Sequence, residues 1–283
     1  MIRAVAILLG MLLSFSCYAR GPGVVRKTVE ASMQVTGQVV IAPDGALRSY
    51  VLDNPGALPV EVRSLLELYL PACEFNVTTA SGKPEEVTAK MSLQVLARQN
   101  GKGGSVLTIN DSNFMDPDTP DPISIVDMSP PQYPMTALRL RLGLSGTVYV
   151  VLRLNPDGSV ADTHVEQVNM TVIGSESGLA SGRSILAKAA LAKARLWRFK
   201  VSAAALAEGE PIDVRVAVDF KFDPKPLKNR SEYGKWQAYV PGPHAPIPWR
   251  PEAVVSEGLG AMSAGGLYPL DPKIKLRRPL AGI

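Results

Sequence analysis

Residues 155–158 read Asn-Pro-Asp-Gly and stand between two runs of alternating apolar and polar residues. Asp-Gly in that setting dictates a tight hairpin, because its glycine accepts the positive φ that a short turn between twisted strands demands. Residues 147–154 and 160–168 are therefore expected to be antiparallel neighbours. The same signal recurs at Pro43-Asp44-Gly45, between residues 35–41 and 47–52. Two such hairpins commit the chain to antiparallel sheet and invite a search for a repeat.

Each hairpin is followed by a helix signal and then a long alternating run. In the first stretch, residues 33–98, Pro59 suits a first helical turn, and Val62, Leu65, Leu66 and Tyr69 fall on one helical face before Pro71. Val87, Ala89, Met91, Leu93 and Val95 then alternate with polar residues, as in a strand with one wet face. In the second stretch, residues 129–222, a loop over 170–182 precedes a helix over 183–196, rich in Ala, Leu, Lys and Arg. Its last run sets Ile212, Val214, Val216, Val218, Phe220 and Phe222 against Asp213, Arg215, Ala217, Asp219 and Lys221. The expected fold class is α+β. Two tandem strand-strand-helix-strand domains each form a three-stranded antiparallel sheet with one helix. Units of this size bury a modest core, so pairing between copies or self-association of the chain would supplement it.

The remaining segments read as connectors. Residues 1–19 form a secretory signal: Arg3 is followed by an apolar stretch over 4–16, with small residues Cys17 and Ala19 before a cut. Acylation of Cys17 and a retained short anchor are the alternatives. Residues 20–32 lead into the first domain. Residues 99–128 are a linker, with three Gly in 99–105 and three Pro among 110–122. Residues 223–283 hold ten Pro and seven Gly, the composition of an irregular tail.

Charge follows the same division. The formal charge is +4, and the tail alone holds nine Lys or Arg against five Asp or Glu. Lys273, Lys275, Arg277 and Arg278 cluster near its end, so any anionic surface is expected to meet the chain there. Nucleic acid is not an expected partner.

Chemistry-bearing residues are scarce. With Cys17 removed, Cys73 stands alone and no internal disulfide forms. Cys73 is expected to be a small buried hydrophobe. His164 falls in a strand of alternating polarity, at an exposed or edge position, and His244 lies among prolines, neither beside a nucleophile in sequence. Residues 101–105 lack the glycine spacing of a phosphate loop. No catalytic residue, metal site or cofactor is expected, and the chain reads as a non-enzyme.

An ordered series marks the second stretch: Pro131, Tyr133 and Pro134, then Ala137, Gly146, Asp157-Gly158, Ala189-Ala190, Trp197-Arg198-Phe199, Gly209-Glu210-Pro211 and Asp219-Phe220. It resembles the C-terminal domain of the TonB family. The first stretch resembles it more weakly, keeping Gly37, Asp44-Gly45 and Phe75 but lacking Trp-Arg and Tyr-Pro. The resemblance implies a bacterial periplasmic domain whose last strand pairs with a short segment of an outer-membrane receptor in energy-dependent transport. The implied partner-binding residues are Pro131, Tyr133 and Pro134 at the approach, and Ile212, Asp213, Val214, Arg215, Val216, Val218 and Phe220 along the strand. Family transducers carry an N-terminal membrane helix and a Pro-rich spacer; here a cleavable signal leads into a folded unit. The expected function is accordingly a periplasmic TonB-like protein-binding module. The alternative is a structural envelope protein whose paired domains and basic tail contact cell wall or membrane.

Overall fold

The computed structural model describes residues 28–79, 82–100, 104–115, 122–207, 209, 211–222, 233–250, 259, 262 and 265–278. The expected signal, residues 1–19, lies outside the described residues, as do residues 101–103.

β1 (Glu30–Ile41) and β2 (Leu47–Leu52) form the first hairpin, with Val39 opposite Tyr50. Gly45 at its tip has φ +89°. α1 (Val60–Tyr69) follows Pro59 and turns Val62 and Leu66 into the core, as their spacing requires. After β3 (Phe75–Val77), the long β4 (Val87–Gln99) pairs with β1 from Ala31↔Ala97 to Ile41↔Val87. β5 (Ser105–Met115) folds straight back along β4, with a register shift at Gln94/Val95. The apolar face of this sheet closes over Met33, Val35, Ile41, Leu66, Phe75 and Met91, each at most 2% exposed.

The second half opens with β6 (Ile123–Asp127) and the short α2 (Met135–Arg139). β7 (Gly146–Leu154) and β8 (Val160–Met170) are the hairpin around Gly158, and α3 (Glu176–Ala194) packs on them. β9 (Arg198–Val201) pairs with β6 rather than with the main sheet. A short α4 (Ala203–Ala207) leads to β10 (Ile212–Phe220), which pairs with β7 along its whole length. Trp197 is 2% exposed, and its indole N–H donates to the Ser129 carbonyl at 2.9 Å. The tail then supplies β11 (Gln237–Tyr239), β12 (Leu267–Pro269) and β13 (Ile274–Leu276).

Several expectations are corrected here. The N-terminal sheet is not three-stranded. It holds seven strands in the order β11-β1-β4-β5-β13-β3, with β2 also on β1. The far strand β3 returns to the first hairpin, where the Phe75 N–H donates to the Gly45 carbonyl at 2.7 Å. The sheet thus curls into a half-barrel, and residues 33–98 are not a second copy of the C-terminal unit. The C-terminal sheet has four strands, ordered β12-β10-β7-β8.

Residues 99–128 are not a linker, because they carry β5 and β6. β5 is drawn into the sheet because β4 would otherwise present a long row of unpaired backbone groups. The tail is not irregular throughout. Its three strands are three residues each, too short to show alternation, and they form by filling edges left open elsewhere. α3 begins at Glu176, where a loop is expected, because Ser175 caps it by accepting the Gly178 N–H at 3.2 Å. Gly182 is tolerated inside this helix because a Cβ there would press on Leu144 and Met170.

Candidate functional site

The site to be tested is the edge of β10. Alternation puts Val214, Val216, Val218 and Phe220 on the face covered by α3, all buried. Asp213, Arg215, Ala217 and Asp219 share the opposite face. In an antiparallel ladder, the backbone groups of alternate residues point to opposite neighbours. The Asp213 carbonyl accepts the Leu270 N–H at 3.0 Å, and the Ala217 carbonyl accepts the Gly265 N–H at 2.9 Å. Odd-numbered residues therefore turn their backbone groups to the outer edge, and even-numbered residues turn theirs to β7.

That edge is occupied by the chain itself. β12 pairs with it antiparallel as Val214↔Pro269, Arg215↔Tyr268 and Val216↔Leu267. Leu267 packs against the core beneath α3. Pro269 falls opposite an even-numbered residue, so its missing N–H is one the ladder to β10 does not use. β12 thus occupies Val214, Arg215 and Val216 of the strand that the resemblance assigns to a partner. Among the described residues no strand pairs with β10 beyond Val216, so Val218, Asp219 and Phe220 have only β7 as a strand neighbour.

The tail also covers the second face and the second edge. Along β8, the Val240 N–H donates to Met170 at 2.7 Å and the Ala245 N–H to Glu166 at 2.7 Å. The Arg183 guanidinium reaches across from α3 to the carbonyls of Val168 and Pro241. Leu259, fully buried, caps Tyr149 and Ala217 on the face away from α3. Its backbone is held from both sides: its N–H donates to Gln167, and its carbonyl accepts from Asn169.

Two charge clusters lie under this cover. Glu166, 3% exposed, accepts two hydrogen bonds from Arg215 at 2.7 and 2.9 Å and faces the His244 ring at 3.0 Å. Asp213, 4% exposed, accepts two from Arg153 at 2.9 Å, one from the Trp249 indole at 3.2 Å and one from Arg250. Arg250 in turn holds Asp271 just beyond β12, and that carboxyl lies below its ordinary range because of Arg250, with Lys275 adding to the effect. Buried pairs of this kind cost about 3–5 kcal/mol when one partner is removed. The Glu166 cluster opens on a cleft of about 440 Å³ between the two sheets, lined also by Gln94, Asp111, Tyr268 and Lys275.

Asp111 faces this cleft from the β4–β5 register shift. Burial pushes its carboxyl above the ordinary carboxylate value; Arg215 opposes the shift and Glu166 adds to it. A carboxyl raised in the folded state stays protonated longer there than in the unfolded chain. Stability is then lost as pH rises from the unfolded value of 3.8 to the folded one, and stays lost above it. Asp111→Asn is therefore expected to melt above the wild type at pH 7 and to converge with it towards pH 4. Parallel melting curves across that range would contradict the assignment.

The other sequence-predicted residues are placed as follows. Tyr133 donates to the Leu144 carbonyl at 2.8 Å and sets its ring 5.6 Å from Phe222, just past β10. Pro131 and Pro134 are half-buried on either side of it. Cys73 is buried, and burial pushes its thiol up to about 11, which suppresses thiolate chemistry. His164 lies on β8, an edge strand of its sheet, and is half-buried under the tail, with the Ala245 carbonyl at 3.4 Å and the Trp249 ring at 6.3 Å. The basic cluster is built into the fold. Lys275 pairs with Asp271, and Arg277 bonds Glu74 at 3.3 Å and the Asp44 carbonyl at 2.7 Å. Arg278 is exposed. Sequence reasoning missed the roles of Glu166, His244 and Leu259, whose hydrogen-bond partners here lie 49 or more residues away along the chain. Among the described residues, no group of three His, Cys, Asp or Glu is arranged to hold a metal ion.

Residues 129–224 match the family of Gram-negative bacterial TonB protein C-terminal domains. The match covers the β7-β8-α3-β10 unit and stops short of the N-terminal sheet. That family is non-enzymatic, is tied to transport and to the cell envelope, and its domains generally bind outer-membrane receptors. No curated protein and no solved structure matches the chain. No helix among the described residues is long and apolar enough to cross a membrane.

Proposed function

We infer that the chain is a TonB-like protein-binding module of the periplasm, using the β10 edge to receive an extended segment of an outer-membrane receptor or another envelope protein. The observation that carries this reading is the conjunction of the family match with an edge that pairs by backbone hydrogen bonds at Asp213 and Ala217. Strand addition draws affinity from main-chain hydrogen bonds and specificity from alternate side chains. On this edge the alternate sides are an apolar core and a charged cleft, so an incoming segment is read on both faces.

The parity of the ladder designs the test. Ala217 turns its backbone groups to the edge, so Ala217→Pro deletes an edge-facing donor and leaves the bonds to β7 intact. Peptides from the N-terminal segments of outer-membrane receptors, titrated into the full chain, are expected to bind about tenfold more weakly to this variant, the worth of one net hydrogen bond. Circular dichroism should stay native. Unchanged affinity in a native-like variant would remove strand addition at β10. Val216→Pro is unsuitable, because the Val216 N–H belongs to the ladder with β7.

A further inference from the structure

We propose that β12 is a displaceable stand-in for the partner strand, and that its sequence records what the β10 edge accepts from another chain. The inference rests on the reading of β10 as a docking edge and adds both a competitor and a partner chemistry to it.

The protein offers its own comparison. Its other long central pair, β1–β4, has the outer edge of β4 covered by β5 from Lys90↔Met115 to Gln99↔Ser105, joined through residues 100–104 alone. That cover is local and long. β12 contributes three paired residues and is reached from β10 only after 46 intervening residues. A cover of three paired residues has few bonds to break, so it opens more readily than the ten-pair cover that β5 gives β4. The two covers occupy corresponding edges, and one of them is built to exchange.

Pro269 decides how a partner arrives. It presents no N–H on the outer side of β12, so a strand adding outside β12 meets a missing donor. The alternative is replacement of β12 on β10. Register then defines the incoming segment. It carries an apolar residue in the place of Leu267, which packs on the core under α3. The next residue is a hydrogen-bonding aromatic in the place of Tyr268, which lines the cleft with Arg215, Glu166 and His244. After it comes a residue that needs no N–H, in the place of Pro269. An acidic residue two positions further meets Arg250, as Asp271 does.

The probe is a fluorescent synthetic peptide of residues 264–272, titrated by anisotropy into three forms of the full chain. Leu267→Asp removes the apolar anchor of β12 and is expected to bind the peptide at least tenfold more tightly than the wild type. Val216→Cys with Leu267→Cys, made with Cys17→Ser, joins a non-hydrogen-bonded pair whose Cα separation suits a disulfide. The oxidised form is expected to lose binding, and reduction is expected to restore it. A peptide with Asp in the Leu267 position should bind none of the forms. Equal affinity of wild type and Leu267→Asp overturns the stand-in while leaving the docking edge intact. Binding that survives oxidation places the peptide elsewhere and overturns it too. No binding to a natively folded Leu267→Asp chain overturns both the stand-in and the docking edge.

Discussion

Gly158→Val is expected to unfold the C-terminal unit at a cost above about 3 kcal/mol, because backbone strain and core disruption add at this position. Gly158 has φ +79°, a left-handed conformation that a β-branched residue adopts only under strain. A Cβ at this position would also overlap the Phe199 carbonyl oxygen, which is backbone and has nowhere to retreat. The hairpin tip is docked there by design: the Phe199 N–H donates to the Gly158 carbonyl at 2.9 Å, and Ser159 bridges to Arg198. Pushing the tip away drags Phe199 and Trp197, 3% and 2% exposed, out of the core. Urea unfolding followed by tryptophan fluorescence should show the loss. A midpoint within the error of the wild type would mean that the hairpin swings clear without disturbing β9.

The same hairpin explains how far the sequence could be read. Asp-Gly and the alternating run 212–220 are local signals that appear where their chemistry places them, and the helix between them is present but starts at Glu176, within the expected loop. Gly45 and Gly158 occupy corresponding turns, each accepting a hydrogen bond from a phenylalanine N–H beyond the helix. Local chemistry of that kind made residues 33–98 look like a second copy. It says nothing of what pairs on the far side of β4, where β5 and β13 turn the sheet into a half-barrel. The tail was illegible for a related reason. A three-residue strand has no period to detect, and proline-rich composition argues against strands on average. Yet Pro269 sits where its missing donor is harmless. Glu166 reads as the wet side of β8, and only the fold brings Arg215 and His244 to it from 49 and 78 residues away.

Ending the chain at Pro272 is expected to cost several kcal/mol and to open the N-terminal half-barrel, although only eleven residues are lost. β13 is the strand between β5 and β3, with Ile274 opposite both Phe114 and Val77. Ile274 is 3% exposed in the core with Phe75 and Phe114, whose rings meet edge-to-face at 4.9 Å. Removing a buried isoleucine side chain alone costs about 2–5 kcal/mol. Truncation adds the loss of a strand that pairs with β3, and of Arg277, which ties Glu74 and Asn76 to the first hairpin through the Asp44 carbonyl. A solvated basic arm reaching for cell wall or membrane would be removable without effect on stability, so the measurement separates that role from a structural one. Chemical denaturation of the truncated chain should show an early transition absent from the full chain, and Ile274→Ala should reproduce it in part. A truncated chain with the full chain's midpoint would return residues 273–278 to the surface as a free basic arm.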